Sequence, residues 1–465
     1  MTHVVTLLPP LNGLPQSVQV ESDAVSGGEG EVYFSTDGRH AVKAFYHANP
    51  NLEQHLRYIM ALFADLPEDQ KRFIVPPLAL IETFDGTPRP GFIMRRVPPR
   101  YRKAVDLILT PRQAAEQFAR GITWGSYLLA ARSMAHAIGV LHSKGCAHTD
   151  IHYENFVVDI DEGDAVMMEA DGVVVSGFIK PRVKGLVGFM APEILTKGAV
   201  PSKITDRHSL AVLVLHMLLF RNPLQPLIEL SDDQAESVRL GWGEQALFSD
   251  DPQDRRNRPT YLDVPLFEGG VLGYRMLSPQ LRHVTEGALI AGLHDPPRRP
   301  SVHDWLEALS ATLDQLWGCN ECQQVFPYPY WKSPPMRACP FCGEQTRPPR
   351  PVVLSMWEER LAGSFAPIDR ALVLGNGSPI YADMAEPHCL PPRTRRGVPI
   401  IGHTVWDEKR RAYRLVNNSD CTWTTVQSTA TPAKVGGNQS IDLQPKTMIR
   451  LGSGKRILEV IDGGG

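Results

Sequence analysis

The chain has 465 residues and a formal net charge of −3; that length calls for two to four domains, and that charge excludes the basic face of a general nucleic-acid binder. Its longest apolar run, Leu210 to Phe220, is broken by His216 and falls far short of the roughly 20 residues a membrane helix needs. The opening residues show neither the basic start nor the small-residue cleavage site of a signal peptide, so a cytoplasmic protein without membrane association is expected.

From Val18 to Val97 apolar and polar residues alternate around glycine-rich turns, which predicts a small sheet. One helix interrupts it, over 52–63, where Leu52, Leu56, Ile59, Met60 and Phe63 recur at helical spacing. Beyond residue 98 the texture becomes helical: 123–145, closed by Gly145, then 206–220, 279–293 and 301–317, with a strand-rich patch at 154–168. Two Cys-x-x-Cys pairs span Cys319 to Cys342, and the proline-rich stretch after them reads as a stiff linker. The remainder is short strands between turn residues, as in an antiparallel sandwich or barrel.

Four segments carry chemistry. Gly27, Gly28 and Gly30 form a turn whose backbone N–H groups can approach phosphates, because no Cβ blocks them. Val32 and Ala41 flank that turn. Lys43 follows on the next strand, and Glu53 on the following helix is the carboxylate expected to fix it, with Glu68 a poorer candidate close behind Pro67. The segment His148-Thr149-Asp150-Ile151-His152-Tyr153-Glu154-Asn155 places an amide five residues after a carboxylate. Asp150 would orient an acceptor hydroxyl and take its proton, and Asn155 would hold Mg²⁺. Finally, sixteen residues separate Cys322 from Cys339. Two such pairs complete a tetrahedral sulfur shell for zinc with Cys319 and Cys342, and the full shell makes the zinc structural.

Taken in order, these segments resemble the protein kinase superfamily. Gly188 to Glu193 looks like the end of its activation segment, Asp206 like its buried aspartate, and Arg299 like the arginine that pairs with the Ala-Pro-Glu glutamate, here Glu193. The resemblance implies an α+β, two-lobed kinase-like fold with an N-lobe over 1–97 and a C-lobe over 98–316. A zinc ribbon over 317–346, a linker over 347–352 and a small all-β sandwich over 353–465 follow; the sandwich loosely resembles a degenerate forkhead-associated domain. It also implies ATP as cofactor with Mg²⁺ or Mn²⁺, and adenine seated near Met94 to Val97. The family's Asp-Phe-Gly is altered: Glu169 takes the aspartate's register and Asp171 is the nearest aspartate, so either carboxylate is a candidate metal ligand. Thr149 replaces the arginine before Asp150, and Ser176 is the one acceptor in the activation segment, so activation by loop phosphorylation is not expected. His152 stands where serine/threonine kinases carry a lysine.

This architecture, with the ribbon behind the kinase-like motifs, resembles the kinases of bacterial tellurite-resistance-associated triads. That likeness implies phosphorylation of serine or threonine on protein substrates, with a von Willebrand factor A protein and a 2C-type phosphatase as partners. A pseudokinase scaffold is the alternative of another class. A small-molecule kinase is the second rival, opposed by the Ala-Pro-Glu segment. The aromatic insert at 326–331 has few basic neighbours and is expected to pack on an adjoining domain rather than stack on nucleic acid.

Overall fold

The computed structural model describes residues 2–47, 51–108, 110–175, 185–331, 338–386, 398–426 and 432–464. It is a mixed α+β structure, sheet at both ends and helix between.

Seven strands make the first sheet: β1 (Thr2–Leu8), β2 (Ser17–Ser26), β3 (Gly30–Ser35), β4 (His40–Phe45), β5 (Pro77–Phe84), β6 (Thr87–Pro88) and β7 (Gly91–Arg95). Their order is β1-β2-β3-β4-β7-β5-β6, and β1 pairs with β5 as well as β2, so the sheet curls until its edges meet. Period-two alternation explains the interior: Val5, Leu7, Val18, Val20, Val42, Ile81 and Ile93 all point into one apolar cluster. Strand β1 lies outside the sheet expected from residue 18 onward. Across the other face lies α1 (Leu52–Phe63), which packs Leu52, Leu56 and Met60 on Ala41, Phe45, Leu80 and Phe92.

Three helices frame the middle of the chain. The first, α2 (Trp124–Ser143), is apolar nearly all round and is buried accordingly. The second, α3 (Lys203–Leu219), starts in a capping box between Ser202 and Thr205; α4 (Val302–Leu313) starts in another between Ser301 and Asp304. A hairpin of β8 (Phe156–Asp159) and β9 (Asp164–Met167) ties this region to the segment just before β5. Met167 N–H donates to Phe73 O at 2.8 Å, and Val75 N–H donates to Met167 O at 3.1 Å.

On α3, His208 is 1 % exposed, and neither ring nitrogen has a hydrogen-bond partner. Burial, with the nearby charges of Arg299 and His294, holds its pKa well below the ordinary histidine value. The unfolded chain therefore takes up a proton near pH 6.5 that the native chain refuses, and native stability falls as pH drops below that point. The slope from this one group is about 1.4 kcal/mol per pH unit until the native ring itself protonates. Urea unfolding of the parent and of His208→Met between pH 7 and 5 checks this: the substitution should flatten the slope, and equal slopes would refute it.

After α4 a short hairpin, β10 (Leu316–Gly318) with β11 (Val325–Pro327), carries the first cysteine pair. The Gln324 side chain accepts from Trp124 N–H at 3.0 Å and donates to Ile122 O at 3.1 Å, fixing this hairpin to the start of α2. Of the aromatic insert, Tyr328 and Tyr330 pack with Val353, Ala371 and Val373 of the C-terminal region. That region has two antiparallel sheets, of six and four strands, around one core. Residues Val352, Leu354, Leu372 and Leu458 come from the larger sheet, and Tyr413 and Leu415 from the smaller. Arg370 reaches from the larger sheet to Asp314 at the end of α4, with contacts of 2.6 and 2.8 Å and both side chains buried. Among the described residues no helix is long and apolar enough to cross a membrane.

Candidate functional site

The glycine-rich turn is folded tightly onto β4. Gly27 N–H donates to Gly30 O at 2.9 Å, and a Cβ on Gly30 would lie 2.3 Å from Ala44 O, so only glycine fits there. Lys43 is 11 % exposed. Its Nζ sits 3.8 Å from Glu29 Oε2 and 5.1 Å from the centre of the Phe45 ring. Glu53, the partner expected for Lys43, lies 2.9 Å from Arg57 along α1, and an acid beside Lys43 is Glu29 of the turn itself. A glutamate one residue into a helix takes the i, i+4 partner its own helix offers. Glu68 likewise pairs with Lys71.

Val32, Ala41, Met94 and Val97, all singled out from sequence, meet in one apolar cluster. Val157 on β8 and Met168 just after β9 complete it from the helical side. Sequence reasoning missed those two; the signal available was their place on strands leading to and from the altered metal motif.

The segment after β-paired Ala147 and His148 is rigidly built. Asp206, wholly buried, accepts from His148 N–H at 3.0 Å and contacts His142 Nε2 at 2.9 Å. Burial raises the Asp206 carboxyl above its usual range against those two contacts. Asn155 Nδ2 donates to Asp150 O at 2.7 Å, which closes the five-residue loop. Glu154 N–H donates to His152 Nδ1 at 3.2 Å, so that nitrogen carries no proton; the ring proton sits on Nε2, 3.1 Å from Asp150 Oδ2. His152 thus faces the carboxylate and not the solvent.

The other oxygen, Asp150 Oδ1, accepts from Leu186 N–H at 3.0 Å. This approach depends on Gly185, at φ +103°, where a Cβ would lie 2.9 Å from Thr149 O. Burial alone would raise the Asp150 carboxyl, but the hydrogen bonds of His152 and Asn155 hold it below its usual range. It is a fixed, ionised acceptor.

Beside this loop, Met168 N–H donates to Asn155 O at 2.9 Å, and His148 Nε2 lies 2.9 Å from Glu169 O. Glu169 is exposed; the Asp171 side chain and Ser176 lie outside the described residues, as does Cys389. On the far side, Arg299, with a fully buried guanidinium, grips Glu193 through two contacts of 2.6 and 2.8 Å. It also donates to Gly292 O and Leu293 O.

The four cysteines form a second centre. Their sulfurs all lie within 4.8 Å of one another, with Cys319–Cys342 at 3.6 Å and Cys322–Cys339 at 3.7 Å. A zinc–sulfur bond of about 2.3 Å implies tetrahedral edges of about 3.8 Å, so the set fits that ion. The two knuckles repeat one geometry. Cys319 N–H donates to Gln324 O and Gln323 N–H to Cys319 O; Cys339 N–H donates to Glu344 O and Gly343 N–H to Cys339 O. Both turns place the residue after the second cysteine at positive φ, Gln323 at 58° and Gly343 at 78°. Burial pushes the Cys322 thiol up to about 11 and the Cys339 thiol higher, a cost that a bound dication reverses.

No family model matches the chain. Over 136 residues it is 27% identical to the probable serine/threonine-protein kinase RTK1 of Saccharomyces cerevisiae, covering 26% of this chain and 19% of that protein. Over 173 residues it is 27% identical to the serine/threonine-protein kinase WNG1 of Toxoplasma gondii, covering 36% of this chain and 25% of that protein. The chain thus spans about a fifth to a quarter of the length of the curated relatives it matches. The likeness is distant, and both relatives are serine/threonine kinases.

Proposed function

We propose that the chain is an ATP-dependent protein kinase with a two-lobed fold, its N-lobe ending near Val97 and its C-lobe near Leu316. The observation that carries this is the closed Asp150–Asn155 loop, anchored on Asp206 and set against the apolar cluster of Val32, Ala41, Met94, Val97, Val157 and Met168. That cluster offers a slot for a nucleobase, Lys43 a cation for phosphates, and Asp150 an acceptor for the substrate hydroxyl. Phosphoryl transfer needs positioning and charge neutralisation more than covalent chemistry from the protein. Asn155 with Glu169 or Asp171 would hold Mg²⁺ or Mn²⁺, which supplies the charge neutralisation. The four cysteines would hold structural zinc. Serine or threonine on protein substrates is the acceptor, and a von Willebrand factor A protein and a 2C-type phosphatase are the proposed partners.

A scaffold without catalysis is the second reading, favoured by one contact: Asp150 Oδ1 already accepts from Leu186 N–H. Incubation with ATP labelled on its γ-phosphate, with Mg²⁺ or Mn²⁺, separates the two. The kinase reading expects label on protein that Asp150→Asn reduces about a thousandfold, to background, as for loss of a positioned acid–base group and its geometry together. Label that is unaffected by the substitution, or absent with both metals, would transfer the case to the scaffold.

A further inference from the structure

Lys43 has a built anionic companion whose place in the turn is not accidental. Tyr46 N–H donates to Glu29 O at 3.0 Å, and Gly27 N–H donates to Gly30 O at 2.9 Å. Gly30 lies flat against Ala44 for want of a Cβ. These three features pin the tip of the turn over the end of β4. From there the Glu29 carboxylate reaches to 3.8 Å from Lys43 Nζ. The ammonium also lies 5.1 Å from the Phe45 ring centre and 6.0 Å from that of Phe92, a setting that stabilises its positive charge. Glu29 itself is 47 % exposed, so its carboxylate can turn to solvent when a phosphate takes its place on Lys43.

We propose that Glu29 is a specificity-determining residue of the nucleotide site: it holds the place of a phosphate on Lys43, and so selects a triphosphate that arrives with a divalent cation over a free one. The proposal rests on the nucleotide-binding reading above. A phosphate that approaches Lys43 must displace Glu29 and then sit beside it. A free triphosphate brings roughly four negative charges to that carboxylate, and a cation-loaded one roughly two, so like-charge repulsion falls mainly on the free form. Removing the charge of Glu29 relieves both the competition for Lys43 and this repulsion.

Calorimetric titration with ATP, once in EDTA and once in excess Mg²⁺, tests it on the full chain and on Glu29→Gln. Because the exchanged ion pair is partly exposed, Glu29→Gln should bind free ATP about two- to fivefold more tightly. Mg²⁺-loaded ATP should tighten by less, so the preference for the loaded form narrows. Unchanged affinities in both conditions overturn the proposal. Weaker binding of the loaded form also overturns it, since Glu29 would then be helping to hold the cation. Thermal melts of both proteins establish that each is folded. If two folded proteins bind neither form, the nucleotide reading itself fails, and this inference fails with it.

Discussion

Cys319→Ser together with Cys339→Ser is expected to abolish zinc binding and to unfold the cysteine region outright. Apparent metal-binding energies of comparable four-ligand sites are about 10–16 kcal/mol, and such sites fold only around their ion. Little else holds this segment: β10 and β11 are three residues each, and the core beneath them consists of Cys319, Cys339 and Phe326. The loss should spread, because Gln324 bridges the hairpin to Ile122 and Trp124 at the head of α2. Elemental analysis should find one zinc per parent chain and none in the variant, and the thermal transition should fall sharply. A parent chain that purifies metal-free and melts at the same temperature with and without chelator would remove the zinc centre from the account.

Arg299→Ala should cost about 3–5 kcal/mol of unfolding free energy, because it leaves the Glu193 carboxylate in a poorly solvated place without its cation. The guanidinium is fully buried and holds two carboxylate oxygens and the carbonyls of Gly292 and Leu293. With the carbonyl of Ile204, five acceptors would lose their donor at once. Arg299→Met with Glu193→Leu should recover much of that loss, since replacing a whole buried pair by apolar groups is often nearly neutral. Denaturant unfolding of the three proteins measures it. A single-variant loss below about 1 kcal/mol would show the pair to be as weak as an exposed one.

How far the chain could be read from its letters follows from what each feature is made of. The cysteine centre was legible because ligand spacing alone fixes two opposed knuckles. The Asp150–Asn155 loop, the Asp206 anchor and the Glu193–Arg299 pair were found in the positions read from motif order, since each is a residue type at a set place between predictable helices. Side-chain direction was not legible. Glu29 lies fourteen residues before Lys43 and Glu53 ten after it, spacings that favour neither, and only the curl of the turn puts Glu29 beside Lys43 while Arg57 pairs with Glu53. Backbone donors leave no trace in sequence, so the Leu186 N–H on Asp150 could not be foreseen. Strand β1 was missed for another reason. Its partners, at 17–21 and 80–84, are set by closure of the whole sheet and not by its own short alternation.

The contact between Arg370 and Asp314 also sets a timetable for the chain's birth. A ribosome delivers residues in order, and domains tend to fold as they emerge. Here α4 ends on an aspartate whose guanidinium partner arrives 56 residues later. The strand carrying that side of the contact, Ser364–Leu374, pairs with Val352–Leu361, which in turn pairs with Arg456–Asp462. The helical middle therefore cannot reach its finished state until the strand Arg456–Asp462 has been made. Any nascent chain stalled before residue 456 carries a helix end that still lacks its Arg370 contact from the completed sheet.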